Sequence, residues 1–233
     1  ALLGELERPA HPLLEMAFEP DAIIVYGGGG HGKALIDLLR LLGTYPIAGM
    51  VDDRLKPGEQ ILGVPVLGGR AILKELKQRG VKLAVNAVGG IGNITVRIKV
   101  FQQLLEAGFT CPAVVHPRAF VEPSAQLSGG VQVFPHAYVG SAAQIGYGVI
   151  VNTGAIVSHD CQVGDYANLS PGAILAGEVA IGAAALVGMG VTVNLQVKIG
   201  EHARIGNGAT VKRDVSANGI VHAGTIWPLD STK

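Results

Sequence analysis

The chain has 233 residues, 48% hydrophobic and 15% charged, with 18 Lys plus Arg set against 18 Asp plus Glu. A balanced charge with no basic block excludes electrostatic nucleic-acid binding, and no apolar run is long enough to span a bilayer, so neither nucleic acid nor membrane insertion is expected. Two cysteines, Cys111 and Cys161, are too few for a disulfide framework or a metal cage and read as buried thiols of a protein in the reducing cytoplasm.

In chain order, residues 1–21 form a leader interrupted by Glu5, Glu7, Arg8, Pro9 and Pro12, without the apolar core of a signal peptide. Residues 22–114 alternate short apolar runs with longer amphipathic ones, the mark of βαβ units and of a Rossmann-like α/β domain. Ala22–Tyr26 predicts a strand, Lys33–Leu42 a helix, and Ile47–Val51 a second strand ending on Asp52 and Asp53. A short apolar stretch, Val64–Leu67, precedes a helix over Arg70–Arg79, a strand over Leu83–Val88 and a helix over Val96–Ala107. Between the first strand and its helix, Gly27, Gly29 and Gly32 satisfy G-x-G-x-x-G, where bare backbone approaches a phosphate and the helix N-terminus supplies N–H donors. The acidic pair about twenty residues further on stands where a ribose or base is held in such folds. The unit is short for a dinucleotide fold, so a mononucleotide-sized ligand fits better.

From Val115 to Val211 every sixth residue is Val, Ile or Leu, and the residue four places after each is Ala, Val or Cys. The second place is often Gly, as in Gly140, Gly146 and Gly164. A six-residue period leaves no fixed face on a helix with about 3.6 residues per turn. It suits a flat strand broken by a corner: the aliphatic residue points inward, the small residue fills tight space, and the Gly-rich stretch turns the chain. Three such sides close a triangular coil, predicting a parallel β-helix over 115–216 with between five and six coils, followed by a tail over 217–233.

Of the seven histidines, His11 lies in the leader, His222 in the tail, and His116, His136 and His202 read as solvated turn residues. No two of His136, His159 and His202 share a side of the coil, which disfavours a three-histidine metal centre, and no metal is expected. His159 interrupts the most regular part of the repeat and is followed by Asp160, a carboxylate able to orient an imidazole and raise its basicity. Gly177 stands eighteen residues on, one coil away on the same side, so its N–H can face a substrate carbonyl with no side chain in the way. Against an enzyme stands a non-catalytic nucleotide-binding sensor or scaffold, for which the intact His159–Asp160 pair is unhelpful.

The hexads resemble the left-handed β-helix of hexapeptide-repeat acyltransferases. Together with Tyr26–Gly32, Val51–Asp53, Ala87–Gly89 and Val151–Cys161, they resemble the sialic acid O-acetyltransferase-like (NeuD/PglD-type) sugar acyltransferases, most of all those that N-acetylate nucleotide-linked 4-amino sugars. That resemblance implies acetyl-CoA as co-substrate and a homotrimer with acyl-CoA between neighbouring prisms. It also implies His159 as general base tuned by Asp160. Gly29, Gly30 and His31 would meet the sugar nucleotide's phosphates, Asp52 and Asp53 its base or ribose, Gly89 would line the same pocket, and Asn152 would reach the sugar nucleotide from the prism. Asn168, Gly177, Met189 and Asn207 would follow the acetyl-CoA channel. Acetylation of a sugar hydroxyl stays open. The chain departs from the family at Asn168, where relatives commonly carry a second histidine, and at His222–Pro228, which lacks the usual Gly-x-Pro-Ala turn, so that Trp227 either stacks on the ligand or caps the prism.

Overall fold

A computed structural model describes residues 18–92 and 94–229; the leader up to residue 17, His11 included, lies outside them. Four consecutive apolar residues, Ile23–Tyr26 (β1), are buried throughout, as a strand covered on both faces must be. The chain passes from the glycine loop directly into Gly30–Leu42 (α1), which Gly43 ends at φ 65 by donating its N–H to the Leu39 carbonyl. Ile47–Val51 (β2), Gln60–Ile61 (β3), Val64–Gly68 (β4), Leu73–Gln78 (α2), Leu83–Asn86 (β5) and Ile94–Glu106 (α3) complete the unit. The sheet runs β3-β4-β2-β1-β5, parallel except for the β3–β4 hairpin. Strand order reverses direction at β1, so the loops after β1 and β5 open a crevice at the topological switch point.

Two details differ from expectation. The helix expected over Arg70–Arg79 opens as a 3-10 turn over Arg70–Ile72. The β3–β4 hairpin carries no sequence signal, because its turn places Leu62 at φ 49 before Gly63 at φ 75, where Asn or Asp is the usual cue.

From Val114 the chain coils into a triangular prism whose three parallel sheets hold seven, five and seven two-residue strands. Strands stack in register, as Ile156–Val157 on Ile174–Leu175, so each layer repeats the last. The inward column is a closed aliphatic core in which Val157, Leu175, Ala155 and Cys161 have no exposed surface. The corners differ from the expected geometry: from Gly130 to Gly208 the left-handed residue is the fourth of each hexad and often not glycine, as at His136 (φ 60), Asp160 (φ 58) and His202 (φ 55). Second-place glycines answer to crowding instead; a Cβ on Gly164 would lie 2.7 Å from the Ala183 nitrogen of the next coil.

The prism also outruns its expected end. Its last coil contracts, Ile205 pairing with Val221 and Val211 with Trp227, so that Ile220–Val221 and Ile226–Trp227 add strands within the stretch expected as a tail. The Trp227 indole packs against the core and donates to the Asp214 carbonyl at 3.2 Å, capping the prism.

The α/β unit docks on one prism face, called here the third, whose strands include Gln132–Val133, Ile150–Val151 and Asn168–Leu169. The outward residues Gln132, Ile150 and Asn168 are buried beneath it. Phe101 of α3 packs on Tyr147 and Tyr166 at ring separations of 5.1 and 5.8 Å. Among the described residues no helix is long and apolar enough to cross a membrane.

Candidate functional site

The first prism face carries Tyr138–Val139, Ile156–Val157 and Ile174–Leu175; the second carries Gln144–Ile145, Gln162–Val163 and Ala180–Ile181. His159 stands on the corner between them. Its Nδ1 lies 2.8 Å from the Asp160 Oδ2, and both side chains are 57% exposed. Asp160 takes the corner's left-handed place, which a short acidic side chain tolerates. Because a carboxylate only accepts, Nδ1 carries the proton and Nε2 keeps a lone pair for a substrate. One coil on, a Cβ on Gly177 would meet the His159 Cε1 and Nε2 at 2.5 Å, so the imidazole lies across a residue that must be glycine. The pair expected from an eighteen-residue spacing is therefore in contact.

A second group forms the crevice above β1 and β5, a cleft of about 410 Å³ lined by Gly27–Gly30, His31, Asp52, Asp53 and Ala87–Gly89. Nothing lies within 4 Å of a Cβ built on Gly29 or Gly30, which leaves the start of α1 open to a ligand. Asp52 accepts from Gly28 N at 2.7 Å and Arg54 N at 2.8 Å, while Asp53 accepts from Arg70 N at 2.8 Å and the Tyr26 hydroxyl at 3.1 Å. Both carboxylates thus shape the loops around the cleft, with lone pairs to spare. Burial, and then Asp53, push the Tyr26 phenol well above its ordinary range. His31 Nε2 lies 2.7 Å from Gln132 Oε1, and burial holds its pKa down at about 4.

A third group borders a groove of about 510 Å³ along the lower coils, where Met189 and Asn207 line one wall with Ile91, Leu186, Arg204 and His222. Asn207 Oδ1 accepts from Met189 N at 2.9 Å, joining the two residues expected along one extended ligand. Asn168 lies away from the groove's open surface: it is 2% exposed, donates to Ser170 Oγ at 3.0 Å and touches Gly90, where any Cβ would collide with it. Asn152 is half-buried at the corner between the third and first faces, its Oδ1 accepting from Thr153 N at 2.8 Å.

Within one chain the His159 corner and the cleft lie on different sides of the prism, since the α/β unit covers the third face. Sequence reasoning missed Gln132, Arg97, Ile91, Arg204 and His222; of these Gln132 and Arg204, polar at outward strand positions, carried a signal. Among the described residues no group of three or more His, Cys, Asp and Glu is placed to hold a metal.

A Rossmann-like unit seated on a triangular β-helix with an imidazole–carboxylate corner defines a hexapeptide-repeat acyltransferase. Residues 22–104 match the PglD N-terminal domain family. Among solved structures, perosamine N-acetyltransferase from Caulobacter crescentus in complex with CoA and GDP-perosamine is 34% identical, with TM-score 0.81 over 86% of this chain and 93% of that one. Its variants with one histidine replaced by asparagine or alanine also hold CoA and GDP-perosamine. The acetyltransferase domain of PglB from Neisseria gonorrhoeae, in complex with acetyl coenzyme A, is 32% identical with TM-score 0.81, covering 90% of this chain and 99% of that one. WeeI from Acinetobacter baumannii is 26% identical with TM-score 0.66, over 85% and 95% of the two chains. Curated proteins gave no match. The chain belongs to the PglD-type sugar acyltransferases, with the left-handed β-helix of that family.

Proposed function

We propose that this protein transfers the acetyl group of acetyl-CoA to the amine of a nucleotide-linked 4-amino sugar, by direct attack and in the cytoplasm. The observation that carries this is the His159–Asp160–Gly177 corner. His159 Nε2 is the lone pair left free by the bond to Asp160, and it sits against a glycine whose N–H can face a carbonyl oxygen. The sugar nitrogen attacks the thioester carbon, its proton passes to Nε2, and the Gly177 N–H steadies the oxyanion. Collapse breaks the C–S bond, and the sulfur leaves with the proton returned from His159.

The cleft of Gly29, Gly30, His31, Asp52, Asp53 and Gly89 takes the sugar nucleotide, with Asn152 at its prism side. Met189 and Asn207 hold acetyl-CoA, and Asn168 supports that channel from below. Relatives that hold CoA and GDP-perosamine, or acetyl coenzyme A, support this pairing. One chain keeps the corner and the cleft apart, so a homotrimer brings the cleft of one copy to the corner of the next. An outward apolar column on the first face, with Phe120 60%, Ile156 37%, Ile174 39% and Ile226 55% exposed, supports that assembly.

Thiol release from acetyl-CoA, followed with a panel of UDP-, GDP- and dTDP-linked amino sugars, tests the assignment. One nucleotide class should drive stoichiometric CoA release with an acetylated sugar as product. Release by none of them would sink it.

A further inference from the structure

The floor of the N-terminal cleft contains a chain of hydrogen bonds that fixes the protonation of His31. The Asn86 carbonyl, on a residue with no exposed surface, accepts from Gln132 Nε2 at 2.7 Å. A carbonyl oxygen faces only a donor, so the amide cannot be flipped, and Gln132 Oε1 is the atom 2.7 Å from His31 Nε2. Two acceptors cannot share that contact. Nε2 therefore carries the proton, and in the neutral ring Nδ1 is bare.

The surroundings keep the ring neutral. Arg97, reaching in from α3, has no exposed surface; its Nε donates to the Val88 carbonyl at 3.1 Å, and Nη1 and Nη2 have no partner among the described residues. That buried cation opposes a second one beside it. The carboxylates sharing the cleft, Asp52 and Asp53, are bonded to Gly28, Arg54, Arg70 and Tyr26, and neither bonds His31. The ring is also wedged against Phe134, 5.4 Å between centroids.

We propose that His31 is a hydrogen-bond acceptor for the ligand: Nδ1 takes an O–H or N–H of the bound sugar nucleotide, and the imidazole does not meet the diphosphate as a cation. This rests on the cleft binding a sugar nucleotide. The phosphates fall to the open N–H groups at the start of α1, since a bare nitrogen lone pair repels phosphate oxygens. His31 thus selects for a donor group at a defined place on the ligand.

NMR of isotope-labelled histidine in the free protein reads the tautomer directly. The expected signal is a neutral ring protonated at Nε2, unchanged between about pH 8 and about pH 5.5. A ring that titrates in that window, or one protonated at Nδ1, overturns the proposal. Calorimetry with UDP-, GDP- and dTDP-linked sugars that lack an amine then reads the contact, because only the protein titrates. His31→Gln keeps a donor for Gln132 but has no acceptor at the place of Nδ1, because its one oxygen shares a carbon with that donor, and binding should weaken about tenfold at every pH. Unchanged binding, or a loss confined to the acid side, overturns the role. If the wild-type protein binds none of these sugar nucleotides, the cleft's assignment fails and this role with it, while the NMR signal still reports whether the ring was correctly described.

Discussion

At the scale of single residues, chemistry at the corner depends on one missing methyl group. A Cβ on Gly177 would stand 2.5 Å from the His159 ring, so Gly177→Ala must push the imidazole aside. Misplacing a reacting group by an ångström costs about a hundredfold in rate; turnover of Gly177→Ala should fall by about that much, with the thermal midpoint nearly unchanged because the atoms that must give way belong to the exposed His159 ring. Full activity would show that the ring does not work where it lies. His159, Asp160 and Gly177 were legible because a strict repeat turns sequence spacing into spatial stacking. Asn168 was not: the same repeat gives its position on the prism, but its burial under Gly90 comes from the docking of another domain, which no period encodes.

At the scale of elements, the bond chain Asn86–Gln132–His31 ties β5, a prism strand and the start of α1 into one unit. Gln132→Leu would leave a buried carbonyl and a buried ring N–H without partners, a loss of about 1–3 kcal/mol for each unsatisfied group. Denaturant unfolding should show a matching drop in midpoint, together with weaker sugar-nucleotide binding, while the prism stays folded. An unchanged midpoint would mean that the two domains are held without this tie. The strands and helices of the α/β unit followed from their apolar periods. The β3–β4 hairpin did not, since Leu62–Gly63 turns without the residues that announce a turn, and neither did the contracted last coil, where pairing with Ile205 and Val211 overrides the six-residue count.

At the scale of the whole molecule, the cleft and the corner are each complete within one chain but face different ways, so the proposed reaction needs a neighbour. Ile156, 37% exposed on the first face, is a position where a charge should prevent that association without touching the prism core. Light scattering of Ile156→Arg should give the mass of one chain, with acetyl transfer at background. A monomer that retains full activity would refute the shared site. The central claim, however, is that His159 carries the proton transfer and not the binding. Its most direct measurement is His159→Ala, assayed for acetyl transfer and, by calorimetry, for sugar-nucleotide and CoA affinity. Turnover should fall by about a hundredfold or more while both affinities stay within about twofold of wild type; undiminished turnover would contradict the account.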